Sequence, residues 1–79
     1  MRRDKLLERM RNNPHDDWRI THIETLAERY GFSMNRPRGG SSHVTLRHDS
    51  GERLTIPARR PIKAAYIRQL VQAIDQLER

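Results

Sequence analysis

The chain has 79 residues, of which 34% are hydrophobic, and it carries a formal net charge of +6 without a single cysteine. This length predicts one small domain, and the missing cysteine excludes a disulfide scaffold, a thiolate zinc site and a cysteine nucleophile. No apolar run approaches the roughly 20 residues that cross a membrane and no secretory leader is visible, so we expect a cytoplasmic protein without membrane contact.

A short helix with one apolar stripe is predicted over residues 3–12. Asn13-Pro14 ends it, because the residue before a proline avoids the helical region. Residues 14–20 then form a polar connection. The stripe consists of Leu6, Leu7 and Met10, and the expected core anchors of the connection are Trp18 and Ile20.

A second helix is predicted to begin at a capping box. The hydroxyl of Thr21 and the carboxylate of Glu24 have the spacing at which they satisfy the first backbone donors of a helix. Gly31 provides the C-terminal stop. The residues on the buried face of this helix are Ile23, Leu26, Ala27 and Tyr30.

The apolar period changes to two after this glycine. Three strands are predicted, over residues 32–35, about 42–48 and 52–56, with a loop over 36–41 and a hairpin turn at 49–51. The inward-facing residues are Phe32, Met34, Val44, Leu46, Leu54 and Ile56. The three strands therefore predict an antiparallel meander.

After Pro57, which closes the third strand, residues 61–78 predict a final helix with Pro61 in its first turn. The residues on its broad apolar face are Ile62, Tyr66, Leu70, Ala73, Ile74 and Leu77. We expect one α+β domain of order α-α-β-β-β-α, with the helices packed on one face of a three-stranded antiparallel sheet. Its parts are the helical residues 1–30, the meander 31–57 and the C-terminal helix.

The net positive charge lies in one stretch. Residues 36–68 hold eight basic and two acidic residues, so this stretch alone has a net charge of +6. Arginine supplies 14 of the 16 basic residues of the chain, and its planar guanidinium suits phosphate recognition. Clustered cations of this kind are typical of a polyanion site.

His43 is the candidate catalytic residue. If Val44 and Leu46 face the core, then His43, Thr45 and Arg47 face solvent, because side chains alternate along a strand. A histidine can take up and release a proton near neutral pH, which is what metal-free RNA cleavage requires. The competing interpretation is an ordinary exposed histidine after a Gly-Ser loop.

We expect structural roles for the remaining histidines, and the sequence indicates no metal site. No pair of histidines has metal-ligand spacing and no carboxylate cluster is present, so neither a metal nor another cofactor is expected. The histidines with expected structural roles are His15, His22 and His48.

Several short motifs resemble the HicA (YcfA-like) family of toxin messenger-RNA interferases. The pattern of that family is a Gly-Phe, an Arg or Lys, a Gly-Ser-His, a Val-Pro, a histidine two residues later, a Leu-Lys and a Gly-Thr-Leu-Arg. The matching segments here are Gly31-Phe32, Arg36, Ser42-His43, Leu54-Thr55-Ile56-Pro57, Ile62-Lys63 and Ile67-Arg68. These segments lie within residues 31–68, and the N-terminal helix pair fits the family more loosely, so that the resemblance covers nearly the whole chain.

The resemblance implies a fold similar to the double-stranded-RNA-binding domain, endoribonuclease activity on messenger RNA and neutralisation by a HicB-like antitoxin protein. It assigns the catalytic role to His43. Four positions depart from the pattern: Ser41 replaces the glycine before Ser-His, Arg59 replaces the second histidine, and Ala65-Tyr66 replaces Gly-Thr. Arg59 cannot act as an acid near neutral pH, but it can bind phosphate.

Two functions from different classes remain open. The first is a metal-independent ribonuclease toxin with His43 as general acid/base, and the second is a non-catalytic RNA-binding module that uses the same surface. The small residues before His43 offer backbone N–H donors to a phosphate. The expected RNA-binding residues are Arg36, Arg38, Gly40, Ser42, Arg47, Arg59 and Lys63. The oligomeric state, monomer or homodimer, stays open.

Overall fold

The structure is a computed structural model that describes residues 4–35 and 43–78. Its elements are α1 (Lys5–Asn12), α2 (Ile20–Arg29), β1 (Ser33–Asn35), β2 (His43–Arg47), β3 (Arg53–Pro57) and α3 (Ala64–Leu77). The strands form one antiparallel sheet in the order β1-β2-β3. The predicted α+β class and the order α-α-β-β-β-α are confirmed.

Asp4 begins α1 as its N-cap and joins this helix to α2. Its Oδ1 accepts the backbone N–H groups of Leu6 and Leu7 at 3.0 and 3.2 Å, which satisfies two donors of the first turn. The same carboxylate accepts from Arg29 Nη1 at 2.9 Å and from the Tyr30 hydroxyl at 3.0 Å. One side chain therefore caps α1 and holds it against the C-terminal end of α2.

The second helix begins earlier than the sequence predicted. It starts at Ile20 with Arg19 as its N-cap, so the predicted capping box of Thr21 and Glu24 is wrong. His22 takes over half of that role, because its Nδ1 accepts the backbone N–H of Arg19 at 3.0 Å. The arginine side chain cannot accept a bond in return, since a guanidinium only donates.

The second helix ends at a glycine, as predicted. Gly31 has a φ of +80°, in the left-handed region that glycine adopts without a steric penalty. The N–H of Phe32 donates to the carbonyl of Ala27 at 2.9 Å, and the N–H of Gly31 donates to that of Glu28 at 3.4 Å. This pair of bonds is a Schellman motif, and it directs the chain into β1 with Phe32 buried.

One face of the sheet is buried and the other is solvated. Val44 pairs with Ile56, and Leu46 pairs with Leu54. Val44, Leu46 and Ile56 have no exposed surface, and Leu54 is half-buried. The predicted inward set of β2 and β3 is confirmed, and so is the turn between them, where Gly51 has a φ of +98°.

The third helix begins later than predicted. Lys63, its N-cap, has an extended backbone, and Pro61 precedes the helix in a cis peptide bond with Arg60 rather than occupying the first turn. The backbone of Ile62 is engaged elsewhere, because its N–H donates to the carbonyl of Trp18 at 2.7 Å. The chain between β3 and α3 therefore packs against the segment before α2.

The core lies between the helices and the inward face of the sheet. The indole of Trp18 is buried, and its N–H donates to the carbonyl of Asn13 at 2.7 Å. Ile67 and Val71 belong to the core although they were not predicted, whereas Tyr66 is only half-buried. The buried residues are Leu7, Met10, Trp18, Ile23, Leu26, Ala27, Phe32, Val44, Leu46, Ile56, Ile62, Ile67, Leu70, Val71, Ala73 and Ile74.

Candidate functional site

A pocket of about 240 Å³ lies where the sheet meets the start of α3. His43 is the first residue of β2, and it pairs directly with Pro57, the last residue of β3. The chain then turns towards α3. The described residues that line the pocket are His43, Pro57, Arg59, Lys63 and Tyr66.

The position of His43 follows from the alternation along β2. Val44 is fully buried, so His43 on one side of it and Thr45 on the other point to the outer face of the sheet. His43 is exposed, whereas its cross-strand partner Pro57 is half-buried. Paired residues on antiparallel strands share a face, and Pro57 therefore provides an apolar wall beside the imidazole.

The pocket combines the imidazole with two cations. Arg59 and Lys63 are exposed, and no acidic residue is among the described residues that line the pocket. The ion pairs that the structure describes use arginines outside residues 36–68. They are Glu8–Arg11, Asp75–Arg11, Asp17–Arg19 and Asp4–Arg29. This part of the surface is therefore suited to an anion.

Tyr66 is a lining residue that the sequence did not assign to the site. Helical spacing placed it on the apolar face of the last helix, but it is half-buried in the first turn of α3 and borders the pocket. A phenol donates and accepts hydrogen bonds, and its ring can stack on a base. Two features of the sequence could have indicated Tyr66 as a site residue. It replaces a residue of the family pattern, and it lies close to Lys63 in the chain.

The structure brings together three of the predicted site residues. His43, Arg59 and Lys63 line one pocket. Arg47 shares the exposed outer face but lies at the other end of β2, about 13 Å along the strand at 3.3 Å per residue. The predicted residues that lie outside the described part of the chain are Arg36, Arg38, Gly40 and Ser42.

Two of the other histidines, His48 and His22, are held in structural contacts. His48 is half-buried, its ring centroid lies 5.1 Å from that of Phe32, and its Nδ1 accepts the N–H of Ser50 at 3.0 Å. His22 caps α2 and packs edge-on against Trp18 with the ring centroids 5.1 Å apart. Neither ring lines the pocket.

The described residues contain no group of three or more His, Cys, Asp or Glu side chains arranged to hold a metal ion. Across the same ranges, none of the helices combines the length and the apolar character that crossing a membrane requires.

Comparison with protein-family models, with curated proteins and with solved structures finds no match for this chain. A functional assignment therefore depends on the pocket itself and on the motifs that contribute to it.

Proposed function

We propose that this protein is a metal-independent endoribonuclease that cleaves messenger RNA in the cytoplasm and acts as a HicA-like toxin. The observation that carries the proposal is the pocket in which His43 lies beside Arg59, Lys63 and Tyr66. It combines a group that can exchange protons near neutral pH with two phosphate-binding cations.

The reaction that suits these groups is internal transesterification of RNA. His43 removes the proton of a 2′-hydroxyl, and the resulting oxygen attacks the adjacent phosphorus. The bond from phosphorus to the 5′ oxygen of the next nucleotide breaks, which leaves a 2′,3′-cyclic phosphate. Arg59 and Lys63 stabilise the negative charge that develops on the phosphoryl oxygens.

The leaving 5′ oxygen must gain a proton for the reaction to balance. His43 can return the proton that it took, which makes it both general base and general acid within one turnover. The phenol of Tyr66 and the ammonium of Lys63 are the other proton-bearing groups of the pocket that can act as acids. Arg59 is excluded from this step because its guanidinium stays protonated.

The alternative function is RNA binding without chemistry. It is favoured by the outer face of the sheet, where Arg47 pairs with Arg53 and both are exposed, next to Thr45 and Thr55. Such a face can bind phosphates and 2′-hydroxyls by shape. The two functions differ in one measurable property, because only the ribonuclease generates new RNA ends.

We also propose an acidic antitoxin protein as the partner. The motivation is the net positive charge of residues 36–68 together with the resemblance to HicA. A protein of opposite charge would be steered to this surface and would cover His43.

The test of the proposed activity is cleavage of a messenger RNA by the purified protein in excess EDTA. We expect cleavage to proceed, since no step requires a metal-activated water. Because the 2′-hydroxyl is the nucleophile, the products should end in a 2′,3′-cyclic phosphate or a 3′-phosphate. A transcript with 2′-deoxy substitutions at the mapped cleavage sites should stay intact. Products with a 3′-hydroxyl end, or complete inhibition by EDTA, would contradict the mechanism.

A further inference from the structure

A second, larger cleft of about 480 Å³ adjoins the pocket of His43. The two share Arg59 and Lys63, so the segment that carries these residues separates one cleft from the other. The described residues that line the second cleft are His15, Arg59, Arg60, Pro61, Ile62, Lys63 and Ala64. None of them is acidic.

The second cleft is formed by two segments that are distant in sequence. The bond from Ile62 N–H to the carbonyl of Trp18 at 2.7 Å joins the chain before α3 to the chain before α2. Both side chains are buried, with 2% and 1% of their surface exposed, so this joint is fixed in the core. It brings His15, from the polar connection, into the same cleft as Arg60.

The side chains around this cleft provide donors and positive charge. Arg60 and Lys63 are exposed at its rim. Arg68 Nη2 lies 3.2 Å from His15 Nε2, so the positive charge of Arg68 lies next to the imidazole that lines the cleft. The N-terminus of α3 also reaches this cleft at Ala64, and it has no side-chain cap. The positive end of the helix dipole therefore adds to the side-chain charges.

From this arrangement we infer that the second cleft is a phosphate subsite that binds the same RNA strand one or more nucleotides away from the cleaved bond. The inference rests on the proposed function for the identity of the strand. Arg59 and Lys63 contact the phosphates bound in both clefts, while Arg60 and His15 contact only the phosphate bound in the second cleft. The RNA path thus includes a residue from the N-terminal half of the chain.

A length series of 2′-O-methyl oligonucleotides tests the subsite, because these probes lack the free 2′-hydroxyl and cannot be cleaved. We expect wild-type protein to bind tetranucleotides more tightly than dinucleotides, and Arg60→Ala to lose most of this gain. The slope of log affinity against log salt for the tetranucleotide should decrease by about 0.7, the value for one single-strand phosphate contact. Lys5→Ala, which removes an exposed charge on α1, is the matched control and should keep the gain.

The outcome for the subsite is separable from the outcome for the ribonuclease. If Arg60→Ala binds the whole series as wild type does, the inferred subsite is wrong, whether or not RNA is cleaved. If RNA is never cleaved but the gain still depends on Arg60, the subsite stands and the proposed activity fails. If Arg60→Ala does not fold, His15→Gln is used instead. This variant should lose most of the increase in affinity from dinucleotide to tetranucleotide, and wild-type binding across the series would again contradict the subsite.

Discussion

Four donors meet at the carboxylate of Asp4, and this side chain shows how one residue can join two elements. Burial alone would raise the pKa of Asp4, but the bonds from the Leu7 N–H, the Tyr30 hydroxyl and the Arg29 guanidinium outweigh it and lower the pKa. Asp4 therefore stabilises the fold above its ordinary pKa of 3.8, and this stabilisation is lost as the pH falls through the lowered value.

The hydroxyl of Tyr30 responds in the opposite direction. Burial, followed by the hydrogen bond to Asp4 and the charge of that carboxylate, raises the pKa of Tyr30 to about 12. An unfolded chain loses the tyrosine proton near pH 10, so between about pH 10 and 12 the unfolded state binds fewer protons than the folded state. The free energy of unfolding must fall as the pH rises through this window.

Tyr30→Phe tests this linkage. At neutral pH the variant should be less stable than wild type by about 1.5–3 kcal/mol, the usual contribution of a hydrogen bond to a charged group. The difference should shrink between about pH 10 and 12, because the wild type loses its advantage there. Urea unfolding at several pH values gives both results. A difference that stays constant up to pH 12 would contradict the assigned pKa, and Tyr66→Phe serves as the control for loss of a phenol elsewhere.

At the level of helices and strands, the sequence predicted what depends on local periodicity. The alternation of Val44 and Leu46 fixed the buried face of β2, and Gly31 marked the end of α2. The starts of α2 and α3 were not predictable in this way. One depends on the imidazole of His22 as a backbone acceptor, and the other on the bond between Ile62 and Trp18.

The candidate site was predictable to the same extent. The alternation of side chains along β2 predicted that His43 faces solvent, and the local excess of positive charge indicated Arg59 and Lys63 as binding residues. Tyr66 was missed because helical spacing alone cannot distinguish the first turn at a pocket from the buried middle of a helix. His15 was missed because a contact between the two segments that precede helices leaves no local pattern in the sequence.

At the level of the whole molecule, charge is distributed unevenly. The ion pairs of the described residues balance acids with arginines in the N-terminal half, for example Arg19 with Asp17 at 3.4 Å and Arg29 with Asp4 at 2.9 Å. Residues 36–68 contain the net charge of +6. Residues of this segment line both clefts. A polyanion and an acidic protein would therefore compete for one surface.

This competition is testable with an acidic protein that copurifies with this chain. Its association rate should fall steeply with added salt, and uncleavable 2′-O-methyl RNA should displace it, because we propose the same basic surface as the binding site of both ligands. Binding can be followed by surface plasmon resonance at two or more salt concentrations. A complex in which RNA cleavage is blocked while His43 stays accessible would contradict occlusion, as would contacts confined to α1 and α2.

The central claim is that His43 performs the chemistry, and cleavage of one messenger RNA by wild type and His43→Ala, purified in parallel, tests it most directly. The variant should fold by circular dichroism and bind 2′-O-methyl RNA within a few-fold of wild type, since Arg59 and Lys63 remain. Its turnover should fall by roughly 10²–10⁴, the usual effect of removing a general acid–base group. Thr25→Ala, at an exposed position of α2 that lines neither cleft, should cleave at close to the wild-type rate. Wild-type cleavage by folded His43→Ala would contradict the account.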